Sequence, residues 1–221
     1  LASIQGGSDT ERPRLVRTIV PDKLTAYNAA QAITAALLHR ARTGQGQHIR
    51  LSMLDAIVAF LWASDMGSQT FVGEDIPQQE AASYIDLIYE TQTGYISAAV
   101  QTNKEWQALT RALDKPEWLD DPRFLTPALR QKHINDRLSL TQEVLRTRTA
   151  EEWLDRLTAA GVPCAPVLTR TGMIVNEQVR ATGIVTERDH PVAGRLRQAR
   201  PAARFSVTQP EIRYGGAGLG E

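Results

Sequence analysis

Asp22 is the carboxylate in this sequence whose surroundings suit it for chemistry. It follows Pro21 and precedes Lys23, at the start of an alanine-rich stretch expected to be helical. The positive end of a helix and a neighbouring ammonium both favour the charged form of a carboxylate, so Asp22 should stay ionised. Two roles fit an aspartate held this way. It can cap the helix by accepting a backbone N–H. It can also attack an activated acyl group and form a covalent acyl intermediate. The residue types alone leave both open.

Other chemistries find less support. The sole cysteine, Cys164, lies between Pro163 and Ala165-Pro166 with no histidine or basic residue beside it. A thiol needs such a neighbour to ionise near neutral pH, so Cys164 reads as a small buried hydrophobe. One cysteine also rules out an internal disulfide and a cysteine-based zinc site. His39, His48, His133 and His190 lack the spacings of metal ligands, so no metal is expected. There is no Gly-x-Ser-x-Gly elbow and no P-loop. Gly44-Gln45-Gly46 is too short for a dinucleotide fingerprint and follows a helix where that fingerprint follows a strand. Trp62, Trp106, Trp118 and Trp153 stand singly, which does not make a stacking platform for bases.

The elements that would position Asp22 come next. The pattern predicts a helix over 24–42, ended by Gly44 in a left-handed C-terminal turn. Ala26, Ala29, Ala30, Ala32, Ala35 and Ala36 raise its propensity and let another backbone approach, as in the interior of a layered fold. A short strand is expected over 48–52. Ser52 and Asp55 then form a capping-box pair for a helix with the apolar stripe Met53, Leu54, Ile57, Val58, Leu61 and Trp62. Periodicity fades over 67–82. Beyond it, strands over 84–90 and 95–100 flank a turn at Thr91-Gln92-Thr93-Gly94. Helices follow over 104–113 (capped by Asn103), over 127–146, and from Thr149 with Glu152 as a capping box to Gly161. A helix near 172–181 and two short strands around 191–194 complete the pattern. The tail over 214–221 is glycine-rich.

Composition bounds the rest. The 221 residues carry 25 basic and 25 acidic side chains, so no whole-chain charge favours nucleic acid or an anionic membrane. With 42% hydrophobic and 23% charged residues, the chain reads as an ordinary globular protein. No apolar run reaches the roughly 18 residues of a membrane span. The sequence opens Leu-Ala-Ser-Ile without an initiator methionine, and it reads as the interior of a longer protein.

The stretch Val20-Pro21-Asp22-Lys23, followed by Ala35-Ala36-Leu37-Leu38-His39-Arg40 and Thr43-Gly44-Gln45-Gly46-Gln47 through Ser52-Met53-Leu54-Asp55-Ala56, resembles the class III CoA-transferase family. That family contains formyl-CoA and carnitine-type CoA-transferases and the 2-methylacyl-CoA racemases. Gly94-Tyr95-Ile96, Trp118 with Asp120-Asp121-Pro122-Arg123-Phe124, Gly161-Val162-Pro163-Cys164-Ala165-Pro166-Val167 and Gly218-Leu219-Gly220-Glu221 are similar to further family signatures. The likeness runs over nearly the whole chain.

The resemblance implies a mixed α/β and α+β architecture. Residues 1–66 would belong to a large Rossmann-like domain and carry the catalytic aspartate. Residues 67–83 would link to a small α+β domain over 84–166, and 167–221 would return toward the large domain. It places the catalytic role on Asp22, which in the transferases forms an aspartyl-CoA intermediate. In the racemases the equivalent aspartate is one of two acid–base groups, its partner histidine lying upstream. The implied substrates are an acyl-CoA and a carboxylate, with coenzyme A as substrate rather than as a resident cofactor. The coenzyme-binding residues are unknown, since most are expected in an N-terminal half that this chain does not contain. A cytoplasmic, interlinked homodimer is the expected assembly, without nucleic acid or membrane partners. The glycine-rich loop of the formyl-CoA type is not found over 77–84, which points away from the formyl/oxalate pair. The alternatives are a racemase and a non-catalytic binding or dimerisation module. By itself the 221-residue chain is expected to be nearly inert.

Overall fold

In the computed structural model, residues 12–63, 65–73 and 87–212, with Ala2 and Gln5, are described. Most of the expected linker, the first residues of the expected strand over 84–90 and the glycine-rich tail lie outside them. The chain divides into two compact units, Leu1–Asp86 and Leu87–Glu221.

The first unit holds two helices packed on each other, α1 (Val20–Thr43) and α2 (Met53–Trp62). Helix α1 begins earlier than the alanine pattern suggested. Pro21 lacks an N–H and is tolerated only in a helix's first turn, where no partner is needed, so the helix starts at Val20. Gly44 ends it with φ of 76°, its N–H donating to the Arg40 carbonyl at 2.8 Å. No residue of α1 is buried, so its alanine face is not covered among the described residues. The strand expected over 48–52 is not formed. Half of the capping box at α2 is present: the Ser52 hydroxyl accepts from the Asp55 N–H at 3.0 Å.

The second unit contains an antiparallel sheet, β1 (Ile88–Thr91), β2 (Gly94–Ala98) and β3 (Cys164–Pro166), in that order. Thr91 faces Gly94 across the hairpin, and Ile96 faces Pro166 on the other side of β2. This register turns Tyr89, Ile96 and Ala98 inward. Against them lie α3 (Asn103–Ala112), α5 (Ile134–Leu145) and α6 (Ala150–Ala160), and the short α4 (Pro127–Lys132) contacts α5. Trp106 stacks on Trp118 with centroids 6.1 Å apart and meets the edge of Phe124 at 5.5 Å. Trp153, 1% exposed, donates its indole N–H to the Leu145 carbonyl at 2.8 Å and so joins α6 to the end of α5. The side-chain amide of Gln142 acts as a surrogate strand at the open edge of β1. It accepts from the Glu90 N–H and donates to the Glu90 carbonyl, both at 2.9 Å.

Three boundaries depart from the pattern, each for a local reason. Thr102 caps α3 in place of Asn103, with Glu105 completing the box, and the Asn103 side chain accepts from Arg130 instead. The helix expected over 127–146 breaks at His133, where φ of −104° and ψ of 36° end α4 and begin α5. The helix expected near 172–181 divides into α7 (Arg170–Val175) and α8 (Glu177–Thr182), because Asn176 turns out of helical geometry and caps the second. Beyond α8, β4 (Val185–His190) and β5 (Gly194–Ala199) form an antiparallel hairpin. Glu187 accepts from Arg197 at 2.6 Å and from Arg195 at 3.0 Å across it.

Replacing Trp153 by Phe keeps an aromatic ring but leaves the Leu145 carbonyl without its donor, so stability should fall by roughly 2–3 kcal/mol. Urea unfolding at constant m-value measures this, and an unmoved midpoint would show that the indole bond is dispensable. The carboxylates of Glu105 and Glu152 are held below the usual range, chiefly by the backbone N–H of Thr102 and of Thr149 respectively. A depressed folded-state pKa gives stability that is present above the unfolded pKa and lost as pH falls through the folded one. Thermal melts below about pH 4.5 should therefore decline more gently for a Glu105→Gln/Glu152→Gln double variant than for the native chain. Parallel declines would remove these two caps from the acid response.

Candidate active site

The first turn of α1 decides what Asp22 can do. Ile19 occupies the cap position with φ of −81° and ψ of 62°, and no side chain caps the helix there. Val20, Pro21 and Asp22 are the first three helical residues, and the Lys23 N–H makes the opening bond to the Ile19 carbonyl at 3.2 Å. Asp22 is therefore inside the helix, one turn past the position a capping aspartate takes. Ile19 holds the cap position, and no side-chain cap hydrogen bond is formed there.

What remains is an exposed carboxylate with uncommitted oxygens. Among the described residues, nothing donates a hydrogen bond to Asp22 or pairs with it. The neighbouring cation is also directed elsewhere, since Lys23 Nζ donates to Thr18 Oγ1 at 3.3 Å. Thr25 Oγ1 donates to the Pro21 carbonyl at 2.7 Å and fixes the turn. A carboxylate mounted on the first turn of a helix and without a partner among the described residues is of the chemical type that can attack an electrophilic carbonyl.

The other groups singled out in the sequence have structural surroundings. Cys164 is half-buried on β3, its Sγ 3.5 Å from Thr158 Oγ1 and 3.9 Å from the Leu154 carbonyl. His133 Nδ1 lies 3.7 Å from Asp136. His190 Nδ1 accepts the N–H groups of Val192 and Ala193, closing the β4–β5 turn. His39 and His48 are exposed. Among the described residues no group of three or more His, Cys, Asp or Glu is placed to hold a metal ion. The same residues contain no helix long and apolar enough to cross a membrane.

Two wider hollows open in the second unit. One of 430 Å³ is lined by Trp118, Leu140, Val144, Trp153, Lys115 and Arg148 among others. The other, of 280 Å³, is bounded by Ile174, Val179, Arg180, Val185 and Arg197. Neither is lined by Asp22. Sequence reasoning also passed over two buried arginines of the small sheet domain, Arg130 and Arg137, which are 5% and 9% exposed. They lie on helical surfaces whose pattern gave no sign of which face would be covered.

Comparison with known proteins gives the family and the fold. The family model for CoA-transferase family III matches residues 1–221. Formyl-CoA:oxalate CoA-transferases of Escherichia coli O139:H28 and Shigella boydii serotype 18 are 27% identical over 226 residues, covering 91% of this chain and 54% of the relative. The chain thus spans about half the length of the curated relatives it matches. Among solved structures, Rv3272 of Mycobacterium tuberculosis superimposes with a TM-score of 0.77 at 21% identity, covering 93% of this chain and 54% of that one. A CAIB/BAIF family protein from Brucella suis does so with a TM-score of 0.75 at 23% identity, over 95% and 55%. The structural likeness establishes a mixed helix-and-sheet fold shared with these proteins. With the family model covering the whole chain, the protein belongs to CoA-transferase family III.

Proposed function

We propose that the protein moves coenzyme A between carboxylic acids, with Asp22 as the covalent nucleophile. The observation that supports this reading is the placement of Asp22: a carboxylate in the first turn of a helix, exposed and with no protein partner among the described residues. A capping or ion-paired aspartate would have its lone pairs occupied.

In the proposed reaction an Asp22 oxygen attacks the thioester carbonyl of the donor acyl-CoA. The C–S bond breaks, coenzyme A leaves as thiolate, and a mixed anhydride remains on Asp22. The thiolate then attacks the Asp22 carbonyl carbon and expels the donor acid as carboxylate, leaving an aspartyl-CoA thioester. The acceptor carboxylate attacks that thioester, releasing thiolate and forming a second mixed anhydride. Attack by the thiolate on the acceptor's acyl carbon completes the transfer and regenerates the aspartate. No proton is gained or lost, so no general acid or base is required. Alignment is the main demand, worth up to roughly 7–11 kcal/mol in well-oriented systems.

Within this proposal residues 1–66 contribute the nucleophile to a large domain, 67–83 link it to a small domain over 84–166, and 167–221 return. The working assembly is a cytoplasmic homodimer acting on an acyl-CoA and a free carboxylate, with no resident cofactor. The curated relatives act on formyl-CoA and oxalate. At 27% identity the acids used by this protein remain open to assay.

Asp22→Asn in the intact protein should lower the rate of CoA transfer by roughly a thousandfold or more. The same change should cost less than about 0.5 kcal/mol of stability, since an exposed side chain without partners is altered. Retention of a substantial fraction of turnover would refute the nucleophile. Loss of α-proton exchange on a branched acyl-CoA, in an enzyme that transfers no CoA, would instead establish the racemase. Cys164→Ala should leave transfer rates within about twofold of native, because no basic group activates the thiol. A hundredfold loss in that variant would return Cys164 to the reaction.

A further inference from the structure

Lys23 follows Asp22 directly in the opening turn of α1. It is exposed, and among the described residues no carboxylate pairs with it. Its Nζ donates to Thr18 Oγ1 at 3.3 Å. Thr18 lies outside the helix and is held by a tight turn, its carbonyl accepting from the Val20 N–H at 2.9 Å. Helical side chains lean toward the N-terminus of their helix, so Asp22 and Lys23 both reach back toward the same end of α1. There Thr18 keeps the ammonium on a neutral hydroxyl and not on a carboxylate.

Helix stability does not account for a lysine at this place. The opening turn favours anions and disfavours cations. An ammonium carries three donors, of which Thr18 takes one, and the hydroxyl leaves the charge itself to solvent. A residue set against a local preference with no structural gain points to a functional use.

The proposed transfer supplies a partner of matching charge. At the reacting centre the negative charge stays at one unit while its location moves. It starts on the Asp22 carboxylate, passes to the coenzyme A thiolate as the first anhydride forms, and then to the departing donor carboxylate. The acceptor carboxylate brings it back, the thiolate holds it again beside the second anhydride, and it returns to Asp22 on completion. At every covalent stage Asp22 is neutral, as an anhydride or a thioester, and the anion beside it is a carboxylate or a thiolate. One cation able to follow these atoms complements each stage. Lysine suits this better than arginine, because its compact charge rides on a flexible stem whereas a guanidinium is a rigid fork matched to one carboxylate geometry.

We infer that Lys23 is the group that recognises the substrate carboxylate at Asp22, with Thr18 as its positioning residue; the inference rests on Asp22 being the nucleophile. Lys23 leaves the Thr18 hydroxyl for the incoming acid, and in this way selects acyl acceptors that are anions.

The test is steady-state CoA transfer by the intact protein, with formyl-CoA, acetyl-CoA and propionyl-CoA as donor probes and formate, acetate, propionate and oxalate as acceptor probes. Lys23→Met should raise KM for the acceptor acid by about thirtyfold or more and KM for the acyl-CoA by less than about threefold, since the reacting thioester carries no carboxylate. Lys23→Arg keeps the charge and should hold the acceptor KM within about fivefold of native. Thr18→Val, which removes the hydroxyl, should raise the acceptor KM several-fold and leave that of the acyl-CoA unchanged. A merely structural role for Lys23 would move both KM values together or neither, and either result would overturn the assignment. Asp22→Asn separates the two readings. A variant that still transfers CoA refutes the nucleophile and this assignment with it. An inert Asp22→Asn beside a Lys23→Met variant of native acceptor KM refutes the Lys23 assignment alone. No transfer by the native protein with any pair of probes would count against both.

Discussion

Proline cannot donate a backbone hydrogen bond, and a helix accepts it only where that donor has no partner to lose. Pro21 is in the first turn of α1 for this reason, and the constraint fixes everything nearby. It sets the start of the helix at Val20, and with it the placement of Asp22 as the third helical residue. At that position the carboxylate cannot curl back to cap its own helix in the way a residue just outside it does. The helix holds the side chain's base rigid while leaving its oxygens unclaimed. A further consequence is an exposed carboxylate without a counter-ion among the described residues.

The second unit is organised by a different rule, the satisfaction of polar groups that packing would otherwise strand. Trp153 donates to the Leu145 carbonyl where α5 runs out of helical partners. Gln142 supplies the edge of β1 with both halves of a missing strand partner. Arg156 Nε reaches the Ala112 carbonyl at the end of α3, and its terminal nitrogen pairs with Asp114 at 2.6 Å. These contacts tie neighbouring elements together through backbone carbonyls, which survive substitution of the residue that bears them. The surface pairs, such as Arg146 with Glu90 at 2.9 Å, add little by comparison, because exposed ion pairs are screened and cost side-chain entropy.

Local chemistry was readable where it was self-contained. The Thr149–Glu152 box, the glycine ends at Gly44 and Gly161 and the Thr91–Gly94 turn need only a few adjacent residues, and all are present. Breaks inside apolar patterns were not readable. His133 and Asn176 interrupt stretches whose periodicity continues across them, so nothing in the pattern marks the change of direction. The position of Asp22 could be singled out from its neighbours, but its role could not, because capping and nucleophilic aspartates share the same sequence setting. The backbone of the first turn puts Ile19, not Asp22, at the cap. Arg137 was invisible for a related reason: which face of an amphipathic helix is covered depends on the sheet packed against it, and a charged residue near the edge of that face reads as solvated.

The central claim is that a covalent bond forms at Asp22. It is tested most directly by incubating the intact protein with acyl-CoA donors, quenching with hydroxylamine, and sequencing the peptide that contains Asp22 by mass spectrometry. The account predicts a hydroxamate at Asp22 that appears only when an acyl-CoA is turned over and never in the Asp22→Asn variant. Turnover with an unmodified Asp22, or with the adduct on another residue, would contradict it.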